Sequence, residues 1–273
     1  MDDLKFSVLM SVYFKENPEY FELAMESVCN QTIKPTEVVL VVEGQLSKEL
    51  EEKLKNLKSK YKFINTYDIE SGNGLGSSLK FGLTKCKYNY VMRADTDDIC
   101  VKNRFEAELE YMKEHPEIDV LGSSIYEFKE SIDEENIRLK NMPTGENIYK
   151  YAKKRNPLNH MTVCMKKDSV LEVGNYSTQR MLEDYELWLR MIVNGKKIEN
   201  INTPLVYARI GNGFEKRRGN KTQIKLWIKI QKYMYKNNMI SIIRYWINIL
   251  NMYIMVYTPN SARVFAYKYI LRK

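Results

Sequence analysis

Two unbroken apolar, β-branched runs, FSVLMSVY at 6–13 and EVVLVVEG at 37–44, constrain this chain more than any other feature. A strand with one wet face alternates apolar and polar residues. A strand without that alternation is buried on both faces, as in parallel sheets covered by helices. Between the runs, NPEYFELAMESVCNQ (17–31) opens on an Asn-Pro helix entry and repeats apolar residues at helical spacing through Tyr20, Leu23, Ala24 and Val28. The alternation continues with a helix over 47–61 whose N-cap is Ser47, a strand at 63–69, and a Gly-rich segment, ESGNGLGSS, at 70–78. A helix to about Cys86, a strand at 88–94, a helix at 102–117 stopped by Pro116, and a strand at 118–128 follow. This order predicts an α/β fold: a mostly parallel sheet flanked by helices.

Residues 129–215 are less regular. A polar loop (130–141), a helix from about Gly145 to Lys154, a loop RNPLNHM (155–161) and a short strand TVCMKK are expected there. An amphipathic helix (182–195) stopped by Gly195 and a return strand (203–211) complete the region.

Charge divides the chain. Residues 216–273 hold thirteen Lys/Arg and no Asp or Glu, so the net charge of +8 combines a basic tail with a body of net −5. Such asymmetry points to an anionic partner for the tail, a membrane surface or a nucleic acid. The stretch 239–258 is apolar but carries Arg244, Asn248 and Asn251, and a central Arg costs about 2.5–3.5 kcal/mol on insertion scales. A helix lying in the membrane interface fits better than a spanning one, with a helical bundle packed on the body as the plain alternative. Cys29, Cys86, Cys100 and Cys164 form no CxxC pair, which suits reduced thiols in a cytoplasmic setting. With only His115 and His160 present, a His-rich zinc site is excluded. The start, MDDLKFSVLM, does not read as a secretory signal.

In open α/β sheets, ligands gather beyond the carboxyl ends of the strands. The loops there supply Tyr13, Glu43, Asn73 with Gly74, and the acidic triplet of VMRADTDDIC: Asp95, Asp97 and Asp98. Like charges about 4 Å apart repel by roughly 1 kcal/mol even in bulk water. A divalent cation, a basic partner or plain solvation could offset that. Hard carboxylate oxygens suit Mg²⁺ or Mn²⁺, completed by substrate phosphates. In MLEDYELW, Glu183 and Asp184 stand at a helix start, where a carboxylate can serve as general base or merely cap the helix. The Gly-rich segment follows the third strand and lacks both the GxGxxG spacing and a GK[ST] ending, so it is no dinucleotide loop or P-loop.

The segments SVLMSVYFKENPEYFELAMESVCNQTIKPTEVVLVVEG, NGLGSSLKFGL, MRADTDDICVKNRF, RNPLNHMTVCMKK, VGNYSTQRMLEDYELWLRMI and VYARIGNGFEKRRG run in order over roughly 6–219. Taken together they resemble the inverting glycosyltransferases of family 2, GT-A type, in the bacterial polysaccharide-assembly branch. The resemblance implies a catalytic domain at 1–215, with a nucleotide-sugar part (1–128) and an acceptor part (129–215), and a helical tail at 216–273. It implies a nucleotide-diphosphate-sugar donor, foremost a UDP-sugar, held by Tyr13, Glu43, Asn73, Gly74, Asp95 and Asp97, with Mn²⁺ or Mg²⁺ on Asp97 and Asp98. Asp184 would be the base. His160, Glu183, Arg217 and Arg218 would face the acceptor or its phosphates. The acceptor would be a glycan, lipid-linked, at the cytoplasmic face of the membrane, and no nucleic acid is expected. A sugar-1-phosphate nucleotidyltransferase would need a Gly-rich basic signature near its first strand, which SVYFKENPEY lacks. A nucleic-acid binder would need its charge spread with aromatics along a groove rather than confined to a tail.

Overall fold

The early strands form where the apolar runs lie. In the computed structural model, which describes residues 5–133, 135–210 and 221–258, β1 is Phe6–Tyr13, β2 Glu37–Glu43, β3 Ile64–Ile69 and β4 Tyr90–Arg93. They pair in parallel in the order β3-β2-β1-β4. Successive strand residues point to opposite faces, and both faces are dry. Val8, Met10, Val12, Val38, Leu40 and Val42 enter one core, while Leu9, Val39 and Val41 enter the other. The first core is covered by α1 (Pro18–Cys29), α2 (Lys48–Lys60) and α4 (Arg104–Glu114), the second by α3 (Leu75–Lys85) and α7 (Glu183–Val193).

Local signals set the helix starts. Asn17 Oδ1 accepts the N–H groups of Glu19 and Tyr20 at 2.9 and 3.1 Å, and Ser47 Oγ accepts that of Leu50 at 3.3 Å. Within α4, the wholly buried Arg104 and Glu108 pair at 2.8 Å, and Arg104 also donates to the Arg93 carbonyl at 2.7 Å. That bond ties α4 to the last residue of β4.

Beyond β4 the sheet departs from simple alternation. β8 (Cys164–Lys166) enters between β4 and β6 (Val120–Phe128), antiparallel to both. β9 (Ile198–Arg209) runs parallel to β6, and the two-residue β5 (Ile99–Cys100) closes the order antiparallel to β9. The expected strand TVCMKK divides into a 3-10 turn at His160–Thr162, β8, and α6 (Lys167–Glu172). The polar loop contains β7 (Arg138–Lys140), exposed at each position and paired with β6. The return strand begins five residues earlier than its apolar run, at Ile198, and its register slips where Pro204 faces Ser124. Proline cannot donate to the ladder and favours such irregularities. A short α5 (Glu146–Ala152) falls inside the expected helix.

The chain divides into two units, Met1–Arg209 and Ile210–Lys273. In the second, α8 (Lys221–Lys236) and α9 (Ile242–Tyr257) pack on each other through Ile224, Met252 and Val256. Among the described residues no helix is long and apolar enough to cross a membrane. All four cysteines are buried free thiols.

Candidate active site

The loops at the carboxyl ends of β1 to β4 carry the expected residues. Tyr13 ends β1 and is exposed. Glu43 ends β2, and its carboxylate organises the Gly-rich loop: Oε1 accepts the N–H groups of Gly72 and Gly74 at 2.9 and 3.2 Å, and Oε2 accepts Ser78 Oγ at 3.2 Å. Gly72 and Gly74 have φ of +90° and +80°, a region that costs little only for glycine. Asn73 spends its amide on the Glu70 carbonyl within the same loop, at 3.0 Å. Arg180 reaches across from the segment before α7 to bond the Gly72 carbonyl.

The acidic triplet is a true cluster. Asp95, Asp97 and Asp98 each offer an oxygen, and these atoms lie within 4.8 Å of one another. Burial, then the charges of Asp95 and Glu16, push the Asp97 carboxyl up to about 7. Burial, then Asp95 and Asp97, hold Asp98 well above the usual carboxylate range. Two arginines relieve part of this. The buried Arg93 ion-pairs with Asp95 through Nη2. Asp98 Oδ1 accepts the Arg209 backbone N–H at 2.7 Å, and Arg209 Nε donates to the Asp97 carbonyl at 3.2 Å. The Arg209 guanidinium is itself held between the rings of Tyr20 and Phe128, 3.7 and 4.4 Å from their centroids. Crowded oxygen donors whose charge is only partly compensated fit a hard divalent cation such as Mg²⁺ or Mn²⁺.

The second acidic group opens α7. Met181 and Leu182 both take left-handed backbone conformations just before it. The segment approaches α3 so closely that a Cβ on Gly76 would stand 2.4 Å from the Ser177 carbonyl and 3.1 Å from Glu183 Cβ. Asp184 Oδ1 accepts the Tyr185 N–H at 2.7 Å, and Oδ2 accepts Asn156 Nδ2. Burial raises the Asp184 carboxyl, and those two donors oppose the rise. Glu183 is buried with Oε2 unpaired, and burial followed by the Asp184 charge takes it to about 7. His160 bonds Tyr176 Oη at 3.0 Å and lies edge-on to Trp188; burial and the Arg93 charge hold it neutral, well below its ordinary range.

Arg93 joins the two groups. Its charge acts on Asp97, Asp98, Glu183 and Asp184 alike, while its Nε and Nη1 are buried without a hydrogen-bond partner among the described residues. The triplet and the Glu-Asp pair therefore share one buried cation. Arg217 and Arg218 lie outside the described residues. Sequence reasoning singled out neither Arg93, Arg209 nor Asn156. Only Arg93 had a readable signal, a lone cation ending an apolar strand two residues before the first aspartate.

The Glycosyl transferase family 2 profile matches residues 7–174. An Escherichia coli protein, UDP-Gal:alpha-D-GlcNAc-diphosphoundecaprenol beta-1,3-galactosyltransferase, is 36% identical over 272 residues, covering 100% of this chain and 98% of its own length. The amylovoran biosynthesis glycosyltransferase AmsE of Erwinia amylovora is 39% identical over 227 residues, 81% of this chain and 84% of the relative. Among solved structures, S. aureus TarS 1-349 in complex with UDP-GlcNAc superposes with a TM-score of 0.69 at 15% identity, over 98% of this chain and 77% of that one. That likeness concerns the fold, and the two close relatives and the profile concern the family. The chain belongs to glycosyl transferase family 2 and is a glycosyltransferase with the GT-A fold.

Proposed function

We propose that the enzyme transfers a hexosyl or N-acetylhexosaminyl group, with inversion, from a UDP-sugar to a hydroxyl of a lipid-linked glycan during cell-surface polysaccharide synthesis, at the cytoplasmic face of the membrane. The observation that carries this reading is the pair of acidic groups arranged about Arg93: a crowded triplet suited to a metal-bound diphosphate, and a carboxylate held by two donors and suited to a proton. The E. coli relative, named for a UDP-Gal donor and a diphosphoundecaprenol acceptor, supports the choice of substrates.

Asp97 and Asp98 are the residues that would hold Mn²⁺ or Mg²⁺, with Asp95 toward the ribose. A divalent cation there supplies neutralisation of the charge that builds on the departing diphosphate. Glu43 shapes the nucleotide side by fixing the backbone of Gly72 and Gly74, and Tyr13 stands exposed at the neighbouring loop. Asp184 acts as general base. Each of its oxygens accepts one donor and keeps a further lone pair, so the carboxylate is oriented yet can take a proton. As the acceptor oxygen bonds to the anomeric carbon, its proton passes to Asp184. The bond from that carbon to the diphosphate oxygen breaks, and the electron pair leaves with UDP. Glu183 and His160 belong to the acceptor side.

The test is calorimetric binding of UDP, GDP and dTDP, each with and without Mn²⁺, to the wild type and to Asp97→Ala. Selective UDP binding that needs Mn²⁺ and disappears in the variant is expected. A folded protein that binds none of the three would overturn the donor assignment.

A further inference from the structure

We propose that the outer face of α9 is a bilayer-contact surface that lies in the plane of an anionic phospholipid membrane. The helix is well started, with Ser241 Oγ accepting the Arg244 N–H at 3.3 Å. Contacts fix its inner side. The Asn248 carbonyl accepts Trp227 Nε1 at 3.1 Å, its amide donates to Gln231 at 2.8 Å, and Met252 and Val256 pack on Ile224 of α8. The opposite side is apolar and wet: Ile243, Trp246, Leu250, Ile254 and Tyr257 are 70%, 61%, 59%, 57% and 62% exposed. Steps of three and four residues place them on one stripe, which at 1.5 Å per residue runs about 21 Å. Helices that face water carry charge at such positions.

Charge decides between occupants. The segment 216–273 has thirteen basic residues and no acidic one, so a second copy would bring like charge against like. On α8, Lys225, Lys229, Lys232 and Lys236 repeat at helical spacing and are all exposed. Anionic headgroups complement this charge, and an indole and a phenol among aliphatic side chains suit the headgroup boundary. Sixteen residues of helix reach about 24 Å, short of the ~30 Å hydrocarbon core, so the helix lies along the surface rather than across it.

The experiment is co-sedimentation of the full chain with vesicles of phosphatidylcholine, with and without phosphatidylglycerol. Neither donor nor acceptor is present, so the result is independent of the catalytic reading. The wild type is expected on the phosphatidylglycerol vesicles, less so as salt rises, with a blue shift of emission that Trp246→Phe removes. Leu250→Ser combined with Ile254→Ser, which leaves the charge unchanged, is expected to weaken vesicle binding about tenfold or more while UDP binding and thermal unfolding stay as in wild type. The proposal fails if the wild type ignores phosphatidylglycerol, if it binds both vesicle types equally, or if the double variant binds as wild type. It fails equally if gel filtration shows a wild-type dimer that the double variant converts to monomer, which assigns the stripe to a second copy.

Discussion

The two acidic groups of the catalytic unit use the same kind of side chain and hold it in contrasting ways. Asp95, Asp97 and Asp98 are crowded into a loop where burial and neighbouring carboxylates raise the proton affinity of Asp97 and Asp98, and Arg93 and the Arg209 N–H offset part of that. Asp184 sits in the first turn of α7, where backbone N–H groups favour negative charge, and takes two dedicated donors. Crowding makes a place where a cation is stabilising. Dedicated support makes a carboxylate that can accept a proton and return it.

Substitutions that break this contrast differ in size. Asp184→Asn keeps the shape but leaves one acceptor oxygen, so it holds only one of the two donors and loses the basic oxygen, and a loss of about 10²–10⁴ in kcat is expected from steady-state transfer assays. Arg93→Met strips the shared cation from both groups. Because Asp95 is partly exposed, the cost is set below that of a fully buried pair, at ~2–3 kcal/mol, readable by denaturant unfolding.

Proton linkage separates the groups further. Asp97 and Glu183 are raised to about 7, so their contribution to stability is full below the ordinary carboxylate range and is lost as pH climbs through 7. In a chelator, the thermal midpoint should therefore fall between about pH 4 and 7. Asp97→Asn should flatten part of that fall, the remainder belonging to the other raised carboxyls, Asp98, Asp184, Glu183 and the buried Glu108. The smallest effect falls on Asn156→Ala. Losing that donor raises the Asp184 carboxyl further, so the acidic limb of the kcat/KM profile moves to higher pH, while UDP binding is unchanged.

How much of this was legible follows from where the information lies. Both apolar runs and the Asn17 and Ser47 caps announce their elements within a few residues, and the structure holds β1, α1, β2 and α2 there. β7, exposed at all three positions, and the two-residue β5 have no local pattern to read; pairing with β6 and β9 makes them strands. The antiparallel insertion of β8 is likewise a property of its neighbours. In the site, the triplet and the Glu-Asp pair were visible as residue types beside predicted elements. Their supports were not, because Asn156 meets Asp184 across 28 positions and Arg209 meets Asp98 across 111.

The central claim is a division of labour, and a crossed experiment on Asp97→Ala and Asp184→Asn tests it most directly. Each variant is measured for Mn²⁺-dependent UDP binding and for a single turnover of sugar transfer. The account predicts that Asp97→Ala loses both, whereas Asp184→Asn binds UDP as wild type does and fails only in transfer. Wild-type turnover in Asp184→Asn, or loss of UDP binding there, would contradict it.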